Sequence, residues 1–117
     1  YAEVLNEVDG PSAGLKYLNL VRERAGLSKI ESDAVTTRNV FRTYLEKERR
    51  LELAFENHRW FDLVRTGRAK DVMTAEQKFD GYSDFTWSDD ALAYPIPMTV
   101  MQSNPGKIIQ NKGYTQL

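Results

Sequence analysis

The stretch of this sequence that decides the fold is EKERRLELAFENHRWFDLVR, residues 46–65. Its apolar residues, with those of the preceding turns, recur at the 3.6-residue period of an amphipathic helix. Thr36 or Thr37 can supply the N-cap, because a threonine hydroxyl accepts a hydrogen bond from a free amide of the first helical turn. The sequence therefore predicts one long charged helix over residues 38–65. This helix makes up most of a charged segment at residues 36–70.

Six charged side chains of this helix are predicted to form a structural ladder of ion pairs. Arg59 is its centre, because it stands three residues after Glu56 and three before Asp62, and side chains at that spacing are neighbours on a helix. Carboxylates that share a helical face with phenylalanine are expected to be partly buried and to need an arginine nearby, since an unpaired buried charge is costly. The predicted ladder consists of Glu48, Glu52, Glu56, Arg59, Asp62 and Arg65.

Upstream of the long helix, residues 1–35 predict a helical hairpin. Residues 1–8 have the pattern of a helix that ends at a turn, and Ser12 is a candidate N-cap for a second helix over residues 13–25. Gly26 is expected to end that helix in the left-handed conformation. Two helices joined by so short a turn pack antiparallel, as in the last hairpin of a helical-repeat array.

Downstream, residues 71–117 are predicted to form a loop followed by an irregular but ordered tail. Three of the chain's four prolines lie within residues 94–106 and exclude a regular helix there, because proline lacks an amide hydrogen and clashes with the preceding turn. The fold class that follows is mainly α, with a helical hairpin, a long helix and a proline-containing tail.

Composition excludes several classes of function. The net charge of −1 does not suit nucleic-acid binding, which normally requires a strongly basic face. The chain has no cysteine and one histidine, so it offers no thiolate metal site, no disulfide and no site built from two imidazoles. We predict no catalytic residue, no resident metal and no cofactor.

The loop at residues 80–90 offers candidate glycan-binding side chains, because aromatic rings pack against pyranose rings and carboxylates accept hydrogen bonds from sugar hydroxyls. The same aromatic rings would equally suit a loop that fills the core of its own domain. The clustered aspartates of this loop could hold a calcium ion, although their spacing is not that of an EF-hand. The glycan candidates are Tyr82, Asp84, Phe85 and Trp87.

Paired carboxylates on the long helix raise the alternative of a glycosidase. Retaining glycosidases need two carboxyl groups about 5 Å apart, and the pairs Glu48 with Glu52 or Glu52 with Glu56 can meet that spacing. Such sites normally draw their residues from different elements around a cleft, and the neighbouring arginines would neutralise the pair. The sequence therefore favours a structural role for these carboxylates.

Several motifs resemble the SusD/RagB family. Residues 18–27, LNLVRERAGL, resemble the helix that this family places at the end of its tetratricopeptide-like (TPR-like) scaffold, and residues 48–65 resemble its arginine-rich C-terminal helix. Asn57 stands where the family usually has glycine. The motifs that resemble the closing tail follow in the same order: YPIP at 94–97, NP at 104–105 and QNKGY at 110–114.

The resemblance implies that residues 1–117 are the C-terminal portion of a larger lipoprotein. Such proteins are anchored to the outer membrane of Bacteroidetes by an N-terminal lipidated cysteine, and they capture oligosaccharides for import through a TonB-dependent, SusC-like transporter. This portion would be mostly structural, would have no enzymatic activity and would be soluble without the anchor. A helical-repeat module that binds another protein remains the alternative.

Overall fold

The computed structural model describes residues 1–79, 81, 84 and 86–115 of the chain. This part is built from α-helices and short 3-10 turns without any strand, which confirms the mainly helical fold class. The chain divides into two compact units, the first unit at residues 1–59 and the second unit at residues 60–117. The α-helices are α1 (Ala2–Asp9), α2 (Pro11–Arg24), α3 (Arg38–Glu52), α4 (Arg59–Arg65), α5 (Ala69–Phe79) and α6 (Met98–Gln102).

None of the helices in the described ranges combines the length and apolar content that a bilayer span requires.

The first unit begins with the predicted hairpin of α1 and α2. The turn between them is Gly10, whose φ of 98° is accessible to glycine, and Pro11 follows as the first residue of α2. Ser12 therefore lies inside α2 and is not its N-cap, because proline at the first helical position has already started the helix. Gly26 has the predicted left-handed conformation, with φ of 74°.

The core of the first unit gathers apolar side chains from α2, α3 and the connection between them. Asn19 holds that connection in place: its side-chain amide donates to the Ile30 carbonyl at 3.0 Å and accepts from the Ile30 amide at 2.8 Å. Gly14 allows the helices to approach closely, since a Cβ there would lie 2.6 Å from the Ala2 carbonyl oxygen and 2.7 Å from Cζ of Phe41. The buried core residues are Leu15, Leu18, Ile30, Val35 and Phe41.

Helix α3 starts as predicted and ends earlier than predicted. Thr37 is the N-cap, with its hydroxyl oxygen accepting from the Val40 amide at 3.2 Å. The single long helix predicted over residues 38–65 is wrong, because α3 stops at Glu52 and the chain turns before α4 begins. The turn includes Phe55 and Asn57 with positive φ angles of 67° and 61°. Asparagine tolerates a positive φ well. Asn57 can therefore adopt the conformation of this turn, although the SusD/RagB family usually has glycine at this position.

The second unit contains α5, α6 and all of α4 except its first residue, Arg59, which belongs to the first unit. The predicted break after Arg65 is present, and Gly67 adopts a φ of 70° there. The predicted loop starts later than residue 71, because residues 69–79 contain good helix formers without glycine or proline and form α5. Likewise, the one-and-a-half turns of α6 fit between two prolines where no regular helix was expected.

The tail of the second unit is held by side chains that bind backbone groups. The Gln110 side chain accepts from the Ile96 amide at 2.7 Å and donates to the Ile96 carbonyl at 3.0 Å. Asn111 donates to the Tyr94 carbonyl at 2.6 Å, and the Tyr114 hydroxyl donates to the Ala93 carbonyl at 3.0 Å. These contacts order residues 110–114 against residues 93–96.

Candidate functional site

Two of the four predicted glycan-binding residues, Asp84 and Trp87, lie among the described residues. Tyr82 and Phe85 lie outside the described residues. Asp84 is exposed, and Trp87 is half-buried. The indole N–H of Trp87 donates to Oδ1 of Asp89 at 2.6 Å, which fixes the orientation of the ring.

Trp87 also contacts a second tryptophan that the sequence reasoning did not single out. The rings of Trp60 and Trp87 have centroids 6.5 Å apart and planes inclined by 43°, the geometry of a favourable aromatic pair. Trp60 belongs to α4, and the only signal that could have drawn attention to it is that the chain has just two tryptophans. The pair with its Asp89 acceptor can pack against a sugar, and it can equally be internal packing of the second unit.

The aspartates near Trp87 do not form an evident metal site. Asp90 lies 3.5 Å from the ammonium group of Lys112, while Asp89 accepts from Trp87. Within the ranges that the structure describes, no group of three histidine, cysteine or acidic residues is arranged to hold a metal ion. Asp80 lies outside those ranges, so the calcium site stays a prediction.

The six residues of the predicted ladder are distributed over separate contacts, because the helix that would have aligned them is interrupted. Glu48 is buried and accepts from Arg22 of α2 at 2.7 Å. Glu52, at the end of α3, pairs with Arg24 of the same neighbouring helix. These two ion pairs join α2 to α3, so arginines of another helix supply the partners for these carboxylates.

The remaining ladder residues lie beyond the end of α3. Glu56 lies 4.0 Å from the His58 imidazole, and Asp62 pairs with Arg65 at 2.9 Å one turn along α4. Arg59 donates to Glu46 of α3 at 3.0 Å, with 31% of its side chain exposed. The continuous ladder centred on Arg59 is therefore wrong, because Arg59 pairs with Glu46 across the turn between α3 and α4, but the predicted Asp62–Arg65 pair is confirmed.

A polar contact joins α1 to α3. Arg38 donates from Nε to the Asn6 carbonyl at 3.0 Å, and the Asn6 side chain donates to the Arg38 carbonyl at 3.4 Å. Glu7 accepts two hydrogen bonds from Arg42, which lower the pKa of the Glu7 carboxyl to about 2. The same carboxylate raises the pKa of Arg42.

An apolar groove lies in the first unit between α1, α2 and α3, with a volume of about 440 Å³. Tyr1 and Tyr17, which both line the groove, meet edge to face with ring centroids 4.7 Å apart. Leu20, Val21, Leu45 and Leu53 contribute to its walls. Glu48 and Glu52 also line the groove, and each of these carboxylates is paired with an arginine of α2. The rest of the lining is mostly apolar and suits packing against another apolar surface.

Comparison with known proteins identifies one family. SusD-like protein P25 of Formosa agariphila is 36% identical over 109 residues, which cover 89% of this chain and 20% of that protein. SusD-like protein P38 of the same organism is 30% identical over 119 residues, which cover 97% of this chain and 22% of that protein. The chain thus spans about a fifth of the length of these curated relatives. No solved structure matches it significantly.

The model of the SusD family matches residues 1–114, which includes the helical hairpin, the α3–α4 segment and the tail. This match and the named relatives agree with the resemblance of the individual motifs. The chain belongs to the SusD family.

Proposed function

We propose that this chain is the mostly structural, helical part of a surface protein that binds oligosaccharides and delivers them to a SusC-like, TonB-dependent transporter. The observation that carries the proposal is the SusD-family match over residues 1–114. Binding without cleavage fits the carboxylates of α3, since Glu48 and Glu52, which both line the groove, are each paired with an arginine. The protein would reside at the outer membrane through a lipid anchor.

The helical units support the structural part of this proposal. The first unit is joined by a packed core and by ion pairs between helices, and the tail of the second unit is tied down by amide side chains. Each unit can therefore hold the side chains of its own surface in fixed positions. We propose further that α1 and α2 are one hairpin of a TPR-like scaffold.

The test is isothermal titration calorimetry with a panel of oligosaccharides on the natural polypeptide that carries this sequence, followed by chromatography of the sugars. We expect binding of at least one oligosaccharide, which is recovered at its original length. Shortened sugars would show a glycosidase and overturn the proposal. Failure of every oligosaccharide to bind, with retention of another protein in pull-down, would favour the protein-interaction module.

The contribution of Trp87 can be tested in the same titration. If its ring contacts the sugar, Trp87→Ala weakens binding about tenfold or more, since loss of a stacked ring costs about 1–2 kcal/mol. The matched control is Tyr94→Ala, which removes an exposed aromatic ring of the same unit. Equal affinities of the two variants and the parent would show that the Trp87 ring does not contact the sugar and only packs against Trp60.

A further inference from the structure

The turn between α3 and α4 presents a phenylalanine ring to solvent. Phe41, Glu48 and Phe55 recur every seven residues, so a continuous helix would place all three on one face. Phe41 and Glu48 are buried, whereas the Phe55 side chain is fully exposed. The end of α3 at Glu52 therefore turns outward an apolar ring that the helical period would have directed toward the core.

The backbone of Phe55 is itself in an unfavourable conformation. Its φ of 67° lies in the left-handed region, which a bulky side chain rarely adopts. Within the part of the chain that the structure describes, the exposed ring gains no burial that would offset this cost. Such conformations persist where the surrounding structure fixes them, and they are concentrated at ligand-binding sites. The turn is therefore a candidate binding surface.

Contacts on both sides of Phe55 hold the turn in place. The Glu56 amide donates to the Leu53 carbonyl at 3.2 Å within the turn. Arg59 follows the turn and donates to Glu46 of α3 at 3.0 Å, so the chain is tied back to the helix that it has just left. A side chain that is already held in position loses little conformational freedom when a ligand binds to it. The Phe55 ring is thus presented from a fixed backbone.

The residues that follow Phe55 supply hydrogen-bonding groups. Glu56, Asn57 and His58 are all exposed, and they offer a carboxylate, an amide and an imidazole. Oε2 of Glu56 lies 4.0 Å from Nε2 of His58, which is longer than a hydrogen bond, so both groups can still bind a ligand. A flat apolar ring beside donors and acceptors suits a pyranose, whose C–H face packs on the ring while its hydroxyl groups form hydrogen bonds.

We propose that this turn is a glycan-binding subsite, in which Phe55 packs against one pyranose ring and the polar side chains of residues 56–58 bind its hydroxyl groups. The proposal rests on the proposed function, because it requires an oligosaccharide ligand. It adds a contact surface in the first unit to the loop predicted at residues 80–90. The composition of the turn favours a sugar over a protein partner, since residues 54–58 contain one large apolar side chain and the centre of a protein interface normally gathers several.

Isothermal titration calorimetry on the natural polypeptide that carries this sequence tests the subsite. The panel includes maltohexaose, cellohexaose, laminarihexaose and xylohexaose, and every variant is titrated with the sugar that the parent binds most tightly. We expect Phe55→Ala to weaken binding at least about tenfold, and Phe55→Tyr, which retains a flat ring, to bind within about twofold of the parent. Phe55→Leu keeps an apolar side chain without the ring and should weaken binding nearly as much as Phe55→Ala.

Phe61→Ala is the matched control, because it removes another exposed phenylalanine ring. Its affinity should equal that of the parent, and a loss as large as that of Phe55→Ala would overturn the proposal. Equal affinities of Phe55→Ala and the parent would also overturn it and leave the proposed function standing. Absence of binding by the parent to every sugar of the panel would overturn the proposed function together with the subsite.

Thermal unfolding of the same polypeptide distinguishes sugar binding from internal packing of the Phe55 ring. The thermal midpoint of Phe55→Ala should equal that of the parent, because substitution of an exposed side chain changes stability little. A midpoint lower by several degrees would show that another part of the polypeptide buries the ring. That result would overturn the proposal even if the variant also bound the sugar more weakly.

Discussion

The two units of the chain are stabilised in different ways. In the first unit, apolar side chains from separate helices meet around Phe41, and ion pairs connect α2 to α3. In the tail of the second unit, Gln110 and Asn111 bind backbone groups that proline-rich sequence leaves without helix or sheet partners. The apolar core of the first unit depends on the volume of its side chains and on their periodic spacing along the helices. The tail of the second unit depends on the identity of single amide side chains. Substitutions should therefore affect the two units by different mechanisms.

The largest effect is expected at Phe41. Phe41→Ala should lower the free energy of unfolding by about 3–5 kcal/mol, because it empties the centre of the core. Phe55 is the control, since its side chain is 102% exposed and that of Phe41 is 0% exposed. Phe55→Ala should change the free energy by less than about 0.5 kcal/mol in the same urea titration. Similar losses for both variants would contradict the described core.

The next effect concerns the close approach at Gly14. Gly14→Ala should destabilise the first unit by about 1–3 kcal/mol, because the added methyl group would overlap the Ala2 carbonyl oxygen and the Phe41 ring. Thermal unfolding followed by circular dichroism measures the loss, with Ser12→Ala on the exposed side of α2 as the control. An increase in stability, as alanine normally gives within a helix, would argue against this contact.

Two arginines of α2 allow a comparison of a buried and an exposed ion pair. Arg22→Ala removes the partner of the buried Glu48 and should cost about 1–3 kcal/mol. Arg24→Ala removes the partner of Glu52 at the surface and should cost at most about 1 kcal/mol. Denaturant unfolding of both variants decides the order. A larger loss of unfolding free energy for Arg24→Ala would show that burial of Glu48 does not determine how strongly its ion pair stabilises the unit.

In the second unit, the corresponding change is Gln110→Ala. It removes both hydrogen bonds to Ile96 and should cost about 1–2 kcal/mol locally. Hydrogen exchange should accelerate at the Ile96 amide, while the amides of α2 keep their rates. Gln102→Ala, at an exposed position of α6, is the control and should leave the Ile96 amide unchanged.

The smallest effect is a pH dependence at the surface. The pKa of Glu7 is lowered from 4.5 to about 2 by Arg42, so the folded state favours the charged carboxylate. Its contribution to stability is fully present above pH 4.5 and is lost as the pH falls toward 2. Thermal midpoints measured across this range should decline less steeply for Glu7→Gln than for the parent chain. Parallel declines would exclude Glu7 as a source of the dependence.

The sequence predicted the parts of the fold that depend on local patterns. The cap at Thr37 and the left-handed Gly26 follow from hydrogen-bonding groups and backbone freedom. The end of α3 did not follow, because Leu53-Ala-Phe-Glu56 is a good helix-forming sequence. The ion pair between Arg59 and Glu46 could not be predicted for the same reason, because it depends on a turn that contains no glycine or proline.

The candidate site was less predictable than the fold. The sequence identified Trp87 as an aromatic residue in an acidic loop, but the partner ring of Trp60 lies 27 positions away and shares no motif with it. Arg22 was likewise missed as the partner of Glu48, since the two residues are 26 positions apart. Pairings between elements depend on how helices pack, and the spacing within one helix contains no information about them.

The contact between Gln110 and Ile96 has a consequence at the level of the gene. Both glutamine codons become glutamate codons by a single C-to-G change at their first base, and the new side chain has nearly the same size. A carboxylate could still accept from the Ile96 amide, but its second oxygen would oppose the Ile96 carbonyl where the Gln110 amide now donates at 3.0 Å. A one-base mutation that conserves volume would thus replace an attraction with a repulsion, and purifying selection should act against it more strongly than the similarity of the two residues suggests.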